Sequence, residues 1–258
     1  MTGGASGIGK IMARRLLAAG ARVVLWDVNA AGLRAVLTEF SRKGDIRGWE
    51  VDVAQPEAIA KAARETLQEV GHVDLVVNNA GIVVGKYFHE HSTADILRTN
   101  DINATAPQLI ARAFLPSMIE RGRGHYCNVA SSAGLVANPK MTVYAGSKWS
   151  LVGFSESLRV EMEQLGLPIK VTTVLPYYIN TGMFDGVKSR IPILDPEKAA
   201  ASILEAVARD ETLLTLPRYI YRLTRLSQGV LSTRGLDWFA GRVFGVYRTM
   251  EGWTGRGA

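Results

Sequence analysis

Met1-Thr2-Gly3-Gly4-Ala5-Ser6-Gly7-Ile8-Gly9 is a glycine-rich loop, and the residues just beyond it decide how the whole chain reads. Ile8, Ile11, Met12, Leu16 and Ala19 recur at helical spacing, so a helix with one apolar stripe is expected over 7–20. Val23-Val24-Leu25-Trp26 then reads as a short buried strand ending at Asp27. Glycines let backbone approach a pyrophosphate closely, and a helix N-terminus favours its negative charge. An acid twenty positions after Gly7 is placed to accept from ribose hydroxyls. Together these mark a dinucleotide-binding unit. Such a unit has a central strand before its loop, and none stands ahead of Thr2, so the start is expected to lack about five or six residues of strand.

Strand and helix keep alternating after Asp27. Helices are expected over 30–43, 56–70, 103–120 and 142–165, and strands at Ile46 to Val51, Val73 to Val77, His125 to Val129 and Ile169 to Leu175. That interval implies an α/β fold with a Rossmann-type doubly wound parallel sheet and helices on both faces, in one unit over 1–217.

Within this frame, Ser131 follows a strand, Tyr144 lies thirteen residues later and Lys148 four beyond it. On a helix the phenol and the ammonium share one face. A free phenol titrates at about 10 and is a poor base at neutral pH. A lysine charge at about 4 Å, in an effective dielectric of about 20, supplies on the order of 4 kcal/mol, or roughly three pKa units before desolvation. Lys148 is therefore expected to bring Tyr144 towards working pH, with Ser131 holding the oxygen that gains or loses the proton. Alone, a Tyr-x-x-x-Lys pair is more often a surface coincidence. The serine and the glycine loop argue otherwise.

Composition narrows the rest. With 258 residues, 47% hydrophobic and 21% charged, the chain suits one soluble domain. Cys127 is the sole cysteine, which excludes an internal disulfide and points to a reducing, cytoplasmic setting. No stretch nears the roughly twenty apolar residues of a membrane span. His89 and His91 lack a third ligand nearby, so no metal is expected. The net charge of +6 is concentrated in 218–258, where seven arginines face only Asp237 and Glu251. A nucleic-acid partner is therefore not expected.

The motifs, taken in order, resemble the short-chain dehydrogenase/reductase family over about residues 1–217. Thr2-Gly3-x-x-x-Gly7-x-Gly9 matches its cofactor loop, Asp52-Val53 its adenine-contacting pair, and Asn78-Asn79-Ala80-Gly81 its sheet-stabilising motif. Asn103, Ser131, Tyr144 and Lys148 match its catalytic set. The resemblance implies Tyr144 as general acid/base, Lys148 as its modulator and ribose anchor, Ser131 as the group orienting the substrate oxygen, and Asn103 as anchor of a proton-relaying water. It also implies nicotinamide-dinucleotide contacts from Gly3, Ser6, Gly7, Ile8, Gly9, Asp27, Asp52, Val53, Asn79, Ala80, Gly81, Tyr144, Lys148, Pro176, Ile179 and Thr181. NAD is favoured over NADP, because Asp27 accepts from a free 2′-hydroxyl and repels a 2′-phosphate, while Ser6 and Val28 supply no cation.

Pro176-Tyr177-Tyr178-Ile179-Asn180-Thr181-Gly182-Met183 departs from the usual family Pro-Gly and is similar to the retinol and 17β-hydroxysteroid dehydrogenase branch. A substrate loop is expected over 182–196, with Met183, Phe184, Val187, Ile191, Ile193 and Leu194 lining an apolar pocket and Lys188 and Arg190 solvated. The substrate contacts implied are Ser131, Tyr177, Tyr178, Met183 and Phe184, for a small-molecule lipophilic substrate, a bulky alcohol or ketone of retinoid, steroid or long-chain type that exchanges hydride with NAD(H).

Residues 218–258 read as basic amphipathic helices rich in arginine and aromatics. They suit either peripheral contact with a membrane or packing on the protein as a roof over the pocket, and composition leaves both open. Homodimer or homotetramer formation through 103–120 and 142–165 is a family expectation. The rival readings are an NADPH-linked keto reductase of fatty-acyl or polyketide type, and a non-catalytic dinucleotide-binding or membrane-interaction protein.

Overall fold

The structure, a computed structural model, describes residues 1–255. After the glycine loop come α1 (Gly7–Ala18), β1 (Val23–Asp27), α2 (Ala30–Phe40), β2 (Ile46–Glu50), α3 (Pro56–Val70) and β3 (Leu75–Asn78). Then follow α4 (Thr93–Asn100), α5 (Ala106–Arg121), β4 (Gly124–Val129), α6 (Thr142–Gln164), β5 (Ile169–Pro176), α7 (Pro196–Ala208) and β6 (Leu213–Leu216). Each strand pair among the described residues is parallel, β1 with β2 and β3 to β6 in sequence order. The doubly wound expectation holds.

The apolar faces show why. Ile59 and Ala62 of α3, Ile110 and Phe114 of α5, and Leu158 and Met162 of α6 pack with Val76, Tyr126 and Val171 on one side of the sheet. On the other, Met12 of α1 and Ala199, Ala200 and Ile203 of α7 close over Val77, Cys127 and Val174. Leu17 of α1 and Leu33, Val36 and Phe40 of α2 cover Val23 and Leu25. Strands buried on both faces need the continuous apolar runs seen in the sequence. Cys127 is fully buried, and that burial pushes its thiol up to about 12.

Residues 1–3 join the two groups of strands. Thr2 bridges Trp26 in parallel, its N–H donates to the Val77 carbonyl (3.0 Å), and Gly3 donates to the Trp26 carbonyl (2.8 Å). Beyond them a cleft runs between Val23–Trp26 and Val73–Val77.

One helical stretch differs from expectation, and the tail is helical as expected. The run expected to start at Asn103 starts at Thr93 instead, because Ser92 and Asp95 form a reciprocal N-terminal cap. It then widens into one π-turn, Asp101–Thr105, before α5. Past β6 the tail folds as α8 (Tyr219–Val230), α9 (Thr233–Trp238), a π-turn Phe239–Val243 and a 3₁₀ stretch Val246–Gly252. Arg256, the last of the tail arginines, lies outside the described residues.

Candidate active site

The glycine loop is built for close approach. Gly3 holds a φ of +64°, and a Cβ on Gly9 would overlap the Gly3 carbonyl oxygen. Asn79, at the end of β3, donates from Nδ2 to the carbonyls of Thr2 (3.1 Å) and Gly3 (3.0 Å). Thr2 Oγ1 in turn accepts from the N–H groups of Asn79 (3.1 Å) and Ala80 (3.0 Å). Loop and strand end are thereby locked together. Gly7 and Ile8 present the start of α1, whose first turn carries no acid, to a cleft.

Most of the expected cofactor residues line that cleft: Gly3, Ser6, Gly7, Ile8, Asn79, Ala80, Gly81, Tyr144, Lys148, Pro176, Ile179 and Thr181. The other four do not. Gly9 is buried behind the loop, where its missing side chain makes room for Gly3. Asp27 accepts from the backbone N–H groups of Ala5 and Asn29, both at 2.9 Å, and so fixes the loop's return. Asp52 accepts from Ala54 N–H (3.0 Å) and pairs with Arg98 (3.3 Å). The Val53 side chain packs into the core. A backbone cradle at a helix N-terminus, with an acid at the end of the next strand, fits a nicotinamide dinucleotide.

The reacting groups sit at the far end of the cleft. Ser131 caps the turn Ser132–Gly134, its Oγ accepting from Ala133 N–H (3.1 Å), and it also hydrogen-bonds the Tyr144 phenol. Tyr144 and Lys148 lie on the buried face of α6. Lys148 Nζ donates to the Val129 carbonyl (3.0 Å) and stands 5.8 Å from the centroid of the Tyr144 ring.

Burial reverses the shift expected for the phenol. It pushes Tyr144 up to about 12, only partly opposed by the Ser131 hydrogen bond, and it pulls Lys148 down to about 8. Desolvation outweighs the lysine charge, which is spent on a carbonyl and lies beside the ring. In the free protein, Tyr144 is therefore a protonated acid at neutral pH.

Asn103 is fully buried in the π-turn. Its Oδ1 accepts from Ile82 N–H (2.9 Å), and its Nδ2 donates to the Ile82 carbonyl (2.9 Å) and Ser147 Oγ (3.1 Å). It thus ties the loop after β3 to α6. A Cβ on Gly81 would meet both Asn103 Oδ1 (3.3 Å) and Lys148 Nζ (3.4 Å), so that glycine keeps open the gap between them.

A second cavity, mostly apolar, shares Ser131, Tyr177 and Phe184 with the cleft. Phe184 stands edge-on to Tyr144 (6.2 Å between centroids) and to Tyr178 (4.9 Å). Tyr178 is buried, its hydroxyl 2.8 Å from Thr249 Oγ1. The expected loop lining holds for Phe184 and Ile191 only. Met183 lines the cofactor cleft instead, Val187 packs beside Tyr144, Leu194 joins the sheet core and Ile193 is exposed.

The rest of the wall comes from elsewhere. Asn138 and Met141 contribute, and the tail supplies Ile220, Leu223, Leu236, Phe239, Phe244 and Val246. The packing reading of the tail is therefore met, and Ile220, Leu223 and Ser227 at helical spacing were its signal in the sequence. Arg190, expected to be solvated, donates to the carbonyls of Arg242 (2.8 Å) and Val243 (2.9 Å). The carbonyls at the end of a helical turn lack intrahelical partners, and a guanidinium satisfies two at once. Trp253 Nε1 on the Met183 carbonyl (3.0 Å), Lys188 N–H on the Thr249 carbonyl (3.1 Å) and Thr254 N–H on the Asp185 carbonyl (2.9 Å) complete the seam between tail and substrate loop.

Comparison with known proteins places this site. A short chain dehydrogenase family model matches residues 1–191. Epidermal retinol dehydrogenase 2 of Mus musculus is 33% identical over 265 residues, covering 99% of this chain and 84% of that protein. Estradiol 17-beta-dehydrogenase 11 of Rattus norvegicus is 31% identical over 92% of this chain and 80% of its own. Among solved structures, a metagenomic short-chain oxidoreductase in complex with NADP superposes with a TM-score of 0.71 at 32% identity, covering 83% of this chain and 92% of that one. The glycine cradle and the Ser131, Tyr144 and Lys148 cluster thus belong to an oxidoreductase, and the chain is a member of the short-chain dehydrogenase family.

Proposed function

We propose that this protein interconverts a lipophilic alcohol and its carbonyl compound with NAD(H), the substrate being a retinoid, a steroid or a long-chain alcohol. The observation that carries the reading is the seam at Ser131. There the cleft that fits the dinucleotide and the apolar cavity meet beside a buried phenol. Relatives named for retinol and estradiol point to the same class of substrate. A bound nicotinamide supplies the carbon that gives or takes a hydride.

The chain's own residues do the rest. The apolar wall excludes water and holds the hydrocarbon body of the substrate, leaving its oxygen to Ser131 and Tyr144. In the direction of carbonyl reduction, Tyr144 donates its hydroxyl proton to the developing alkoxide while Ser131 holds that oxygen. The raised pKa of the free phenol supports this donor role. In the oxidative direction Tyr144 must first be the phenolate, a form that the positive charge of Lys148 favours, and its Oη then takes the proton of the alcohol hydroxyl. Asn103 positions α6 through Ser147, whose hydroxyl donates to the Tyr144 carbonyl (2.7 Å).

For the cofactor, solved family members hold NADP in one case and NAD in another. Asp27 supports NAD here, because a carboxylate beside the loop repels a 2′-phosphate. We further propose a cytoplasmic homodimer or homotetramer with peripheral membrane contact through 218–258. Trp149 and Val160, exposed on α6, suit the oligomer contact.

The test is NADH absorbance during turnover of retinol, a 17β-hydroxysteroid, a long-chain secondary alcohol and a small secondary alcohol, each with NAD and with NADP. The reading requires turnover with NAD and higher kcat/KM for the large apolar compounds. A preference for the small alcohol, or turnover with NADP alone, would refute it.

A further inference from the structure

Trp253 stands between the two loops that border the reacting end of the cofactor cleft. One loop follows β3: its Asn79, Ala80 and Gly81 line the cleft, and its Val83 packs with Trp253 against the cluster around Tyr144 and Val187. Two residues beyond Val83, a Cβ on Gly85 would overlap the six-membered ring of Trp253, so the indole lies directly on that backbone. The other is the substrate loop, whose Met183 and Phe184 also line the cleft. There Trp253 Nε1 donates to the Met183 carbonyl (3.0 Å). A Cβ on Gly186 would overlap the Gly252 carbonyl oxygen, so the residue before the indole is pressed onto the same loop. One side chain thus bridges both loops, with a flat apolar face for one and a single polar hydrogen for the other.

We infer that Trp253 is a latch on the cofactor: it ties the substrate loop to the loop after β3 and so sets how fast the dinucleotide leaves. The inference rests on the proposed dinucleotide cleft and adds what controls exchange there. The glycine loop and the start of α1 present backbone to one end of the cleft. Met183 and Phe184 wall the other end, so opening it means lifting the substrate loop. That movement breaks the bond to Met183 and peels the indole from Gly85. Loop opening of this kind governs product release in many enzymes. Trp253 lines neither the cleft nor the apolar cavity, so it is a positioning residue that acts through Met183 and Gly85.

The experiment follows release of NADH or NADPH, whichever the wild type holds more tightly, by stopped-flow fluorescence on the full chain. Trp253→Ala should speed dissociation by about ten-fold, the scale of one lost hydrogen bond and its contact, while association stays within about two-fold. Trp253→Phe keeps a ring on Gly85 but lacks the donor, and should fall between the two. Gly85→Ala leaves the tail sequence intact and adds a methyl group under the indole. It should also speed dissociation, and the double variant should be no faster than Trp253→Ala alone. A purely structural role would lower the fraction of chains that bind cofactor without changing the rate at which bound cofactor leaves. Dissociation unchanged in Gly85→Ala or in a folded Trp253→Ala overturns the latch and leaves the cofactor reading in place. So do effects of the two substitutions that multiply in the double variant. A wild type that binds neither dinucleotide overturns both.

Discussion

The cofactor cleft and the apolar cavity share Ser131, Tyr177 and Phe184, yet they are made of different material. The cleft is largely backbone: a loop with no room for Cβ atoms, a helix start, and strand ends held by Asn79 and Thr2. The cavity is side-chain volume, gathered from the loop after β4, the substrate loop and the tail. Backbone geometry tolerates little change, because an added Cβ has nowhere to go. Side-chain walls can be recut residue by residue. Fixed cofactor chemistry beside a variable substrate site is the consequence.

The largest test of that division is Tyr144→Phe, which keeps the ring and removes only the proton donor. Turnover should fall by about 10³-fold with every substrate. NADH affinity, followed by fluorescence titration, should stay within about two-fold. Turnover of the variant equal to the wild type's would remove Tyr144 from the mechanism. Next is Gly9→Ala, whose methyl group would collide with the Gly3 carbonyl. NADH affinity should drop by about 100-fold, worth about 2.7 kcal/mol, and kcat/KM should fall alike for large and small alcohols. A loss confined to large alcohols would erase the boundary between cleft and cavity.

Phe239→Ala cuts the opposite way. It should raise KM for a lipophilic alcohol by about ten-fold, the scale of a lost apolar contact, while a small alcohol is turned over as before. Equal effects on both would mean that the tail acts on the whole site and not on one wall.

The smallest effect lies at the boundary itself. Lys148 titrates at about 8 when folded, well below the ordinary lysine value, so between those two pH values the unfolded chain binds more protons. Stability should therefore rise with pH from about 8 towards 10, by on the order of 1–3 kcal/mol. Lys148→Met should abolish that rise. Urea unfolding across this window is the check, and an unchanged slope in the variant would assign the dependence elsewhere.

The same division explains what could be read from residue types alone. The cleft was legible because backbone approach demands glycine at set spacing and strands buried on both faces demand apolar runs. Asn103 was legible as a residue but not in its setting: the Ser92 and Asp95 cap and the π-turn move the helix start ten residues earlier, from Asn103 to Thr93. The lowered phenol pKa failed because the i, i+4 spacing reveals nearness but not burial, and here burial dominates. Arg190 is solvent-exposed as expected. What its residue type could not show is the distant helical turn that offers its guanidinium two carbonyls.

The seam between Met183–Lys188 and Thr249–Thr254 also bears on how the protein is made. Domains form progressively as a chain leaves the ribosome. Every residue lining the cofactor cleft precedes position 185, whereas the wall of the cavity needs the tail as far as Val246. A nascent chain can thus complete its nucleotide site well before it has a room for alcohol. During synthesis, readiness for cofactor comes before selectivity for substrate.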